Sequence, residues 1–120
     1  IQSSDIQNGL KQIQMSGCDF AIGVTSFSFP IQRAVKISHH GRVEMFFPEY
    51  FNSRSQDLEE AYHDAGQFCW GRSHAWLEGK SSFSGDSIPI KLPCYRVQDI
   101  DTPDDWYRAE LMFQMLSESE

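Results

Sequence analysis

Asp99 and Asp101 flank Ile100 in the stretch Arg96-Val97-Gln98-Asp99-Ile100-Asp101-Thr102. In an extended backbone alternate side chains share a face, so the two carboxylates would project together while Ile100 turns away. Neighbouring carboxylates repel unless a cation lies between them. Oxygen ligands of this kind suit Mg2+, which takes one or two carboxylates and completes its shell with waters and substrate phosphates. The chemistry open to such a pair is metal-assisted transfer of a phosphorus-centred group.

Two other readings compete for these residues. Helix capping accounts for Thr102 as N-cap, Pro103 at the first helical position, and Asp104 and Asp105 as favourable charge in the first turn. It leaves Asp99 unexplained and Asp101 only partly explained. The run Asp-Ile-Asp-Thr also admits an aspartyl-phosphate-forming phosphatase, with one nucleophilic Asp and one acid/base Asp. That enzyme needs an apolar strand before the motif and a large domain after it. Here Arg96 and Gln98 precede it, and 19 residues follow Asp101.

Other chemistry-bearing residues are sparse. Cys18, Cys69 and Cys94 are an odd number at wide spacing with no C-x-x-C, which suggests neither a zinc knuckle nor a redox pair. They are expected to be free, mostly buried thiols of a reducing cytosol. His39 and His40 fall in a turn and are expected to be solvated, His74 carries no signal, and His63 has no second histidine at ligand spacing.

The elements that must position these residues follow from the patterning. Ile6, Leu10 and Ile13 mark an amphipathic helix over residues 4–16, with Ser4 or Asp5 as cap and Gly17 as stop. Residues 19–29 form a strand candidate. Ala34–Ser38 and Val43–Phe47 flank His39-His40-Gly41-Arg42 as a hairpin. An irregular polar and aromatic stretch follows, then a short strand over Gln67–Trp70, a short helix over Ser73–Leu77 and an extended apolar segment over Ile88–Leu92. The last helix starts at Thr102-Pro103 and carries Trp106, Ala109, Leu111, Met112, Phe113 and Leu116 on a broad apolar face.

Composition narrows the class further. The chain has 120 residues, 40% apolar and 22% charged, which is room for one domain and one core. No apolar run approaches the ~20 residues of a membrane span, and the first residues do not read as a secretory signal. Ten bases against 17 acids leave a net charge of −7. From Gln98 onward seven acids meet one base, Arg108. Such a surface disfavours a long nucleic-acid backbone but leaves small-anion or metal binding open.

Three stretches taken together carry a family resemblance. They are Phe29-Pro30-Ile31-Gln32-Arg33-Ala34; Arg54-Ser55-Gln56-Asp57-Leu58 running on to Tyr62-His63-Asp64-Ala65-Gly66-Gln67-Phe68; and Val97-Gln98-Asp99-Ile100-Asp101-Thr102-Pro103-Asp104-Asp105-Trp106. In this order and at these separations the chain resembles the acylneuraminate cytidylyltransferases, from about Asp19 to Leu116. The resemblance implies an α/β fold: the C-terminal part of a Rossmann-like nucleotide-diphospho-sugar transferase with a protruding β-arm for dimerisation. It implies one partial domain over 1–120, with 30–58 as the arm of a homodimer.

It further implies a cytoplasmic enzyme that joins CTP to a nonulosonic acid, of the pseudaminic or sialic type, with loss of pyrophosphate. Asp99 and Asp101 would hold the catalytic Mg2+, and one of them would help deprotonate the attacking hydroxyl. Arg33 and Arg54 match arm positions that serve the partner's sugar site, and a guanidinium fork suits a sugar carboxylate. His63 and Gln67 would contact substrate. Phe83 and the position of Cys69 would wall the acyl pocket, where relatives often place Tyr rather than Cys. The family's Gly- and basic-rich CTP-phosphate loop is not in this sequence, so the chain is expected to be the C-terminal half and to lack turnover alone. A non-catalytic sugar-binding or dimerisation module is the alternative from another class.

Overall fold

The computed structural model describes residues 1–119, a mixed α/β chain dividing into two compact units: residues 1–25 with 63–119, and Ser26–Tyr62. In the first unit α1 spans Ser3–Ser16 and ends at Gly17, which takes a left-handed φ of 72°. The expected cap at Ser4 or Asp5 is not what forms. Gln2 is the N-cap with no side-chain hydrogen bond, because Asp5 is drawn into a tertiary ion pair with Arg96.

Strand β1 (Phe20–Ser26) is buried from Phe20 through Thr25, the pattern of a central strand covered on both faces. The sheet order is β4–β1–β5, with β4 at Tyr62–Gly71 and β5 at Ser87–Lys91. β1 and β5 run parallel, with Ala21 opposite Ile88 and Gly23 opposite Ile90. The pairing is extended by Leu92 N–H donating to the Val24 carbonyl at 2.8 Å. Thr25, buried at the end of β1, satisfies its hydroxyl on the Leu92 carbonyl at 2.8 Å.

α1 lies on β5. Ile13 enters a core with Ala21, Ala65, Ile90 and Leu92, joined by Phe68, Trp70, Ile88 and Val97. Gly9 makes this seating possible: a Cβ there would stand 2.6 Å from Trp70 Cδ1 and 2.9 Å from Phe68 Cε2. The Trp70 indole N–H then reaches the Ile6 carbonyl at 2.8 Å. Arg72 donates to the carbonyls of Ile13 and Cys18 at 3.0 and 2.9 Å, satisfying acceptors at the end of α1.

The short helix α2 covers Ser73–Leu77 and the final helix α3 covers Pro103–Glu118. Thr102 caps α3 and Pro103 opens it as predicted, and Asp105 does more than add charge: Thr102 Oγ1 accepts from the Asp105 N–H and Asp105 accepts from the Thr102 N–H, a reciprocal capping box. No residue of α3 is fully buried: Trp106, Leu111, Phe113 and Met115 are exposed, while Ala109, Met112 and Leu116 are half-buried. All three cysteines are free, and the expectation that they are mostly buried fails: Cys18 and Cys69 are half-buried and Cys94 is exposed.

The second unit is built on the antiparallel hairpin β2 (Val35–Ile37) and β3 (Val43–Met45). Its register sets Lys36 opposite Glu44, a favourable cross-strand charge pair. The alternation places Val35, Ile37, Val43 and Met45 on the other face, where Ile37 and Val43 are more than 70% exposed.

Candidate active site

Val97 anchors the acidic stretch, since its side chain packs on the core while the residues after it leave regular structure. The stretch joins no β-ladder. Val97 is extended at φ −122°, ψ 121°, but no ladder continues through Asp101. Asp99 and Asp101 are both exposed, and neither joins an ion pair among the described residues.

The stretch is held at both ends. Upstream, the Arg96 guanidinium binds the Asp5 carboxylate at 2.7 and 3.4 Å, with both side chains only 16% exposed. The Arg96 carbonyl accepts from Gln67 Nε2 at 2.8 Å. Downstream, Asp105 Oδ2 accepts from the backbone N–H of Thr102 at 3.0 Å and of Asp101 at 3.1 Å. The second bond exceeds what the helix cap requires. With the Thr102 hydroxyl it holds the Asp105 carboxyl below the usual carboxylate range, the Asp101 N–H contributing most. Gln98 Nε2 spans the two halves, donating to the Asp99 carbonyl at 2.6 Å and to Asp105 Oδ1 at 3.4 Å.

Opposite this stretch, β4 kinks at Gly66, whose φ is +67° and whose N–H is taken by Asp64 Oδ1 at 2.8 Å. The Asp99 carboxylate lies over that glycine. Along the sequence Gly66 and Asp64 carry no signal beyond their place in one of the three runs, and the patterning predicts a strand only over Gln67–Trp70. The strand is ten residues long because its polar first half is recruited by the sheet without any alternation to announce it.

A cleft of about 540 Å³ borders this region, lined by Gly66, Gln67, Arg96 and Gln98 with Met112 and Leu116 of α3. Gln67 Oε1 is buried without a partner, an acceptor available to a donor. His63 is exposed, with Nδ1 at 2.8 Å from the Asp64 carbonyl. Cys69 is half-buried with Sγ 3.6 Å from the Trp70 carbonyl. Burial raises its thiol pKa, and the Asp64 charge adds to the effect. Phe83 lies in the loop before β5, 70% exposed.

Within the second unit a side-chain hydrogen bond links the segments that carry the two candidate arginines. Arg33 Nη2 donates to the carbonyl of Ser53, the residue before Arg54, while Arg54 Nε pairs with Asp57 at 2.9 Å.

No cluster of three or more His, Cys, Asp or Glu stands in liganding arrangement among the described residues. Asp99 and Asp101 are the carboxylate donor type that Mg2+ takes one or two at a time, with waters completing its shell; they do not make an all-protein cage. Sequence reasoning missed a separate charged cluster. Buried Asp19 accepts from Lys80 Nζ at 2.8 Å and faces His74 Nε2 at 3.0 Å. The Lys80 hydrogen bond lowers the Asp19 pKa, and Asp19 in turn raises that of Lys80. The partners lie 55 and 61 residues from Asp19, so no local spacing could signal them.

No protein-family model matches the chain. Curated relatives do. Pseudaminic acid cytidylyltransferases from two strains of Campylobacter jejuni subsp. jejuni are 43% identical over 100 residues, covering 83% of this chain and 43% of each relative. A Helicobacter pylori protein, "Pseudaminic acid cytidylyltransferase and UDP-2,4-diacetamido-2,4,6-trideoxy-beta-L-altropyranose hydrolase", is 32% identical over 101 residues, covering 83% of this chain and 19% of that protein. The chain thus spans less than half the length of the curated relatives it matches. No helix among the described residues is long and apolar enough to cross a membrane.

Proposed function

The chain is homologous over 100 residues to pseudaminic acid cytidylyltransferases, and from that premise we propose that it carries the sugar-side and metal-side part of such an enzyme. The reaction joins CTP and a nonulosonic acid in the cytoplasm. The anomeric hydroxyl attacks the α-phosphorus, a new P–O bond forms, the bond to the β-phosphate oxygen breaks, and pyrophosphate leaves. The 43% identity over 83% of the chain is the observation that carries this reading.

Asp99 and Asp101 would hold Mg2+, which when bound would neutralise charge on the phosphates. One of the two carboxylates also helps take the hydroxyl proton. The unpartnered Gln67 Oε1 is suited to accept from a sugar hydroxyl or amide, with His63 nearby in sequence as a second contact. Cys69 and Phe83 face the acyl group. The fold of the intact enzyme is Rossmann-like, with residues 1–120 one partial domain. Residues 30–58 form the arm that pairs two copies, each supplying Arg33 and Arg54 toward the sugar carboxylate of the other. The apolar face of Val35, Ile37 and Val43, exposed in the single chain, supports an interface there.

Incubation with CTP, Mg2+ and a nonulosonic acid, followed by pyrophosphate assay, tests the reading. The chain alone is expected to give little or none. Adding the part of a Campylobacter relative outside the matched 100 residues is expected to restore release, and Asp99→Ala or Asp101→Ala to abolish it. Full rate in both alanine variants of the reconstituted enzyme would remove the metal assignment. Robust release by the chain alone would overturn the need for the complementary part.

A further inference from the structure

Arg96 occupies a place that helix capping and substrate contact do not explain. It is three residues before Asp99, yet its guanidinium pairs with Asp5, in the first turn of α1, 91 residues distant. The pair is largely withdrawn from solvent, each side chain 16% exposed. Breaking one partner would leave the other charge poorly solvated, so the geometry resists drift. The same residue's carbonyl is fixed by Gln67 Nε2 at 2.8 Å, and the next side chain, Val97, is sunk in the core. Three independent attachments therefore converge on two consecutive residues, immediately before a stretch without ladder hydrogen bonds of its own.

We infer that Arg96 is a positioning residue: by bridging to Asp5 it fixes the point from which the Asp99–Asp101 stretch departs, and so sets where the two carboxylates stand against β4 before a divalent cation arrives. The inference rests on the reading of Asp99 and Asp101 as the metal pair. Residues that orient ligands without touching the metal typically change metal affinity by about 10- to 100-fold when removed. Arg96 and Asp5 are expected to act as one unit, so that loss of either has the same effect and a reciprocal exchange restores it.

The experiment is a Mn2+ titration of the 120-residue chain, read by paramagnetic broadening of backbone amide signals, with thermal unfolding recorded in parallel. In the unaltered chain the signals of Asp99–Thr102 are expected to broaden first. Asp5→Asn and Arg96→Met, measured where each is folded by its amide spectrum, are expected to require about tenfold more Mn2+. The double variant Asp5→Arg with Arg96→Asp is expected to recover most of that loss, and Arg96→Lys to keep part of it. Single variants that are less stable but bind Mn2+ as tightly as the unaltered chain would overturn the positioning role and leave the metal pair standing. An unaltered chain that shows no broadening at Asp99–Thr102 would remove the metal pair and this inference with it.

Discussion

The Asp99 carboxylate rests on the bare backbone of Gly66: a Cβ built on that glycine would stand 3.3 Å from Asp99 Oδ1 and 3.5 Å from its carboxyl carbon. The glycine is needed twice, because its φ of +67° is also a conformation that side-chain-bearing residues avoid. One residue thus bends β4 and leaves space for the candidate ligand.

Gly66→Ala is accordingly expected to act on both. The left-handed backbone should cost about 1–2 kcal/mol of stability, visible as a lower denaturant midpoint. The displaced Asp99 should weaken Mn2+ binding as well. A variant of unchanged midpoint would show that β4 relaxes freely at this kink.

Removing a candidate ligand outright should do more than moving it. Asp99→Ala and Asp101→Ala are each expected to lower divalent-cation affinity by at least about 100-fold, beyond the range seen for residues that only orient ligands. Stability should change little, since both side chains are exposed and outside ion pairs. Calorimetric titration with Mg2+ and a thermal melt read the two effects separately.

The Asp19–Lys80 pair predicts a pH window for stability. Asp19 has its pKa lowered from an ordinary 3.8 by the Lys80 hydrogen bond. Its contribution is present above that value and disappears as the pH falls through the lower, folded one. Lys80 has its pKa raised from 10.5 by the same bond. Its contribution is present below that value and disappears as the pH climbs through the higher, folded one. Melting temperature should therefore fall at both ends, and Asp19→Asn should flatten the acid limb. An unchanged acid limb in that variant would assign the loss to other carboxylates.

Gly9→Ala tests the seating of α1. Alanine favours an isolated helix by about 1 kcal/mol over glycine, yet here its Cβ would meet Trp70 Cδ1 at 2.6 Å. Overpacking of this kind costs about 1–3 kcal/mol, so the net change should be destabilising. A rise in melting temperature would mean that Trp70 swings away at little expense.

The proposed pairing through residues 30–58 is checked by light scattering. Ile37→Glu combined with Val43→Glu places two charges on the exposed apolar face of the hairpin and is expected to shift the chain toward monomer. A mass unaffected by the double change would place the dimer contact elsewhere.

Much of the chain was legible residue by residue because its determinants are local. The box at Thr102 and Asp105, the turn through His39-His40-Gly41 and the short helix at Ser73–Leu77 depend on residues within a few positions of one another. The acidic pair was visible for the same reason, and the likeness of three runs to known enzymes pointed to its chemistry. Folding alone decided where Asp5 would spend its charge. Judged locally it was a helix cap, but across 91 residues it is the counter-ion of Arg96. Folding also brought His74 and Lys80 to Asp19, drew the polar first half of β4 into the sheet, and laid Asp99 over Gly66. Capping and turn formation are settled by neighbours along the chain. Ion pairing and close approach are settled by which surfaces the core brings together, and side-chain spacing along the sequence carries no record of that.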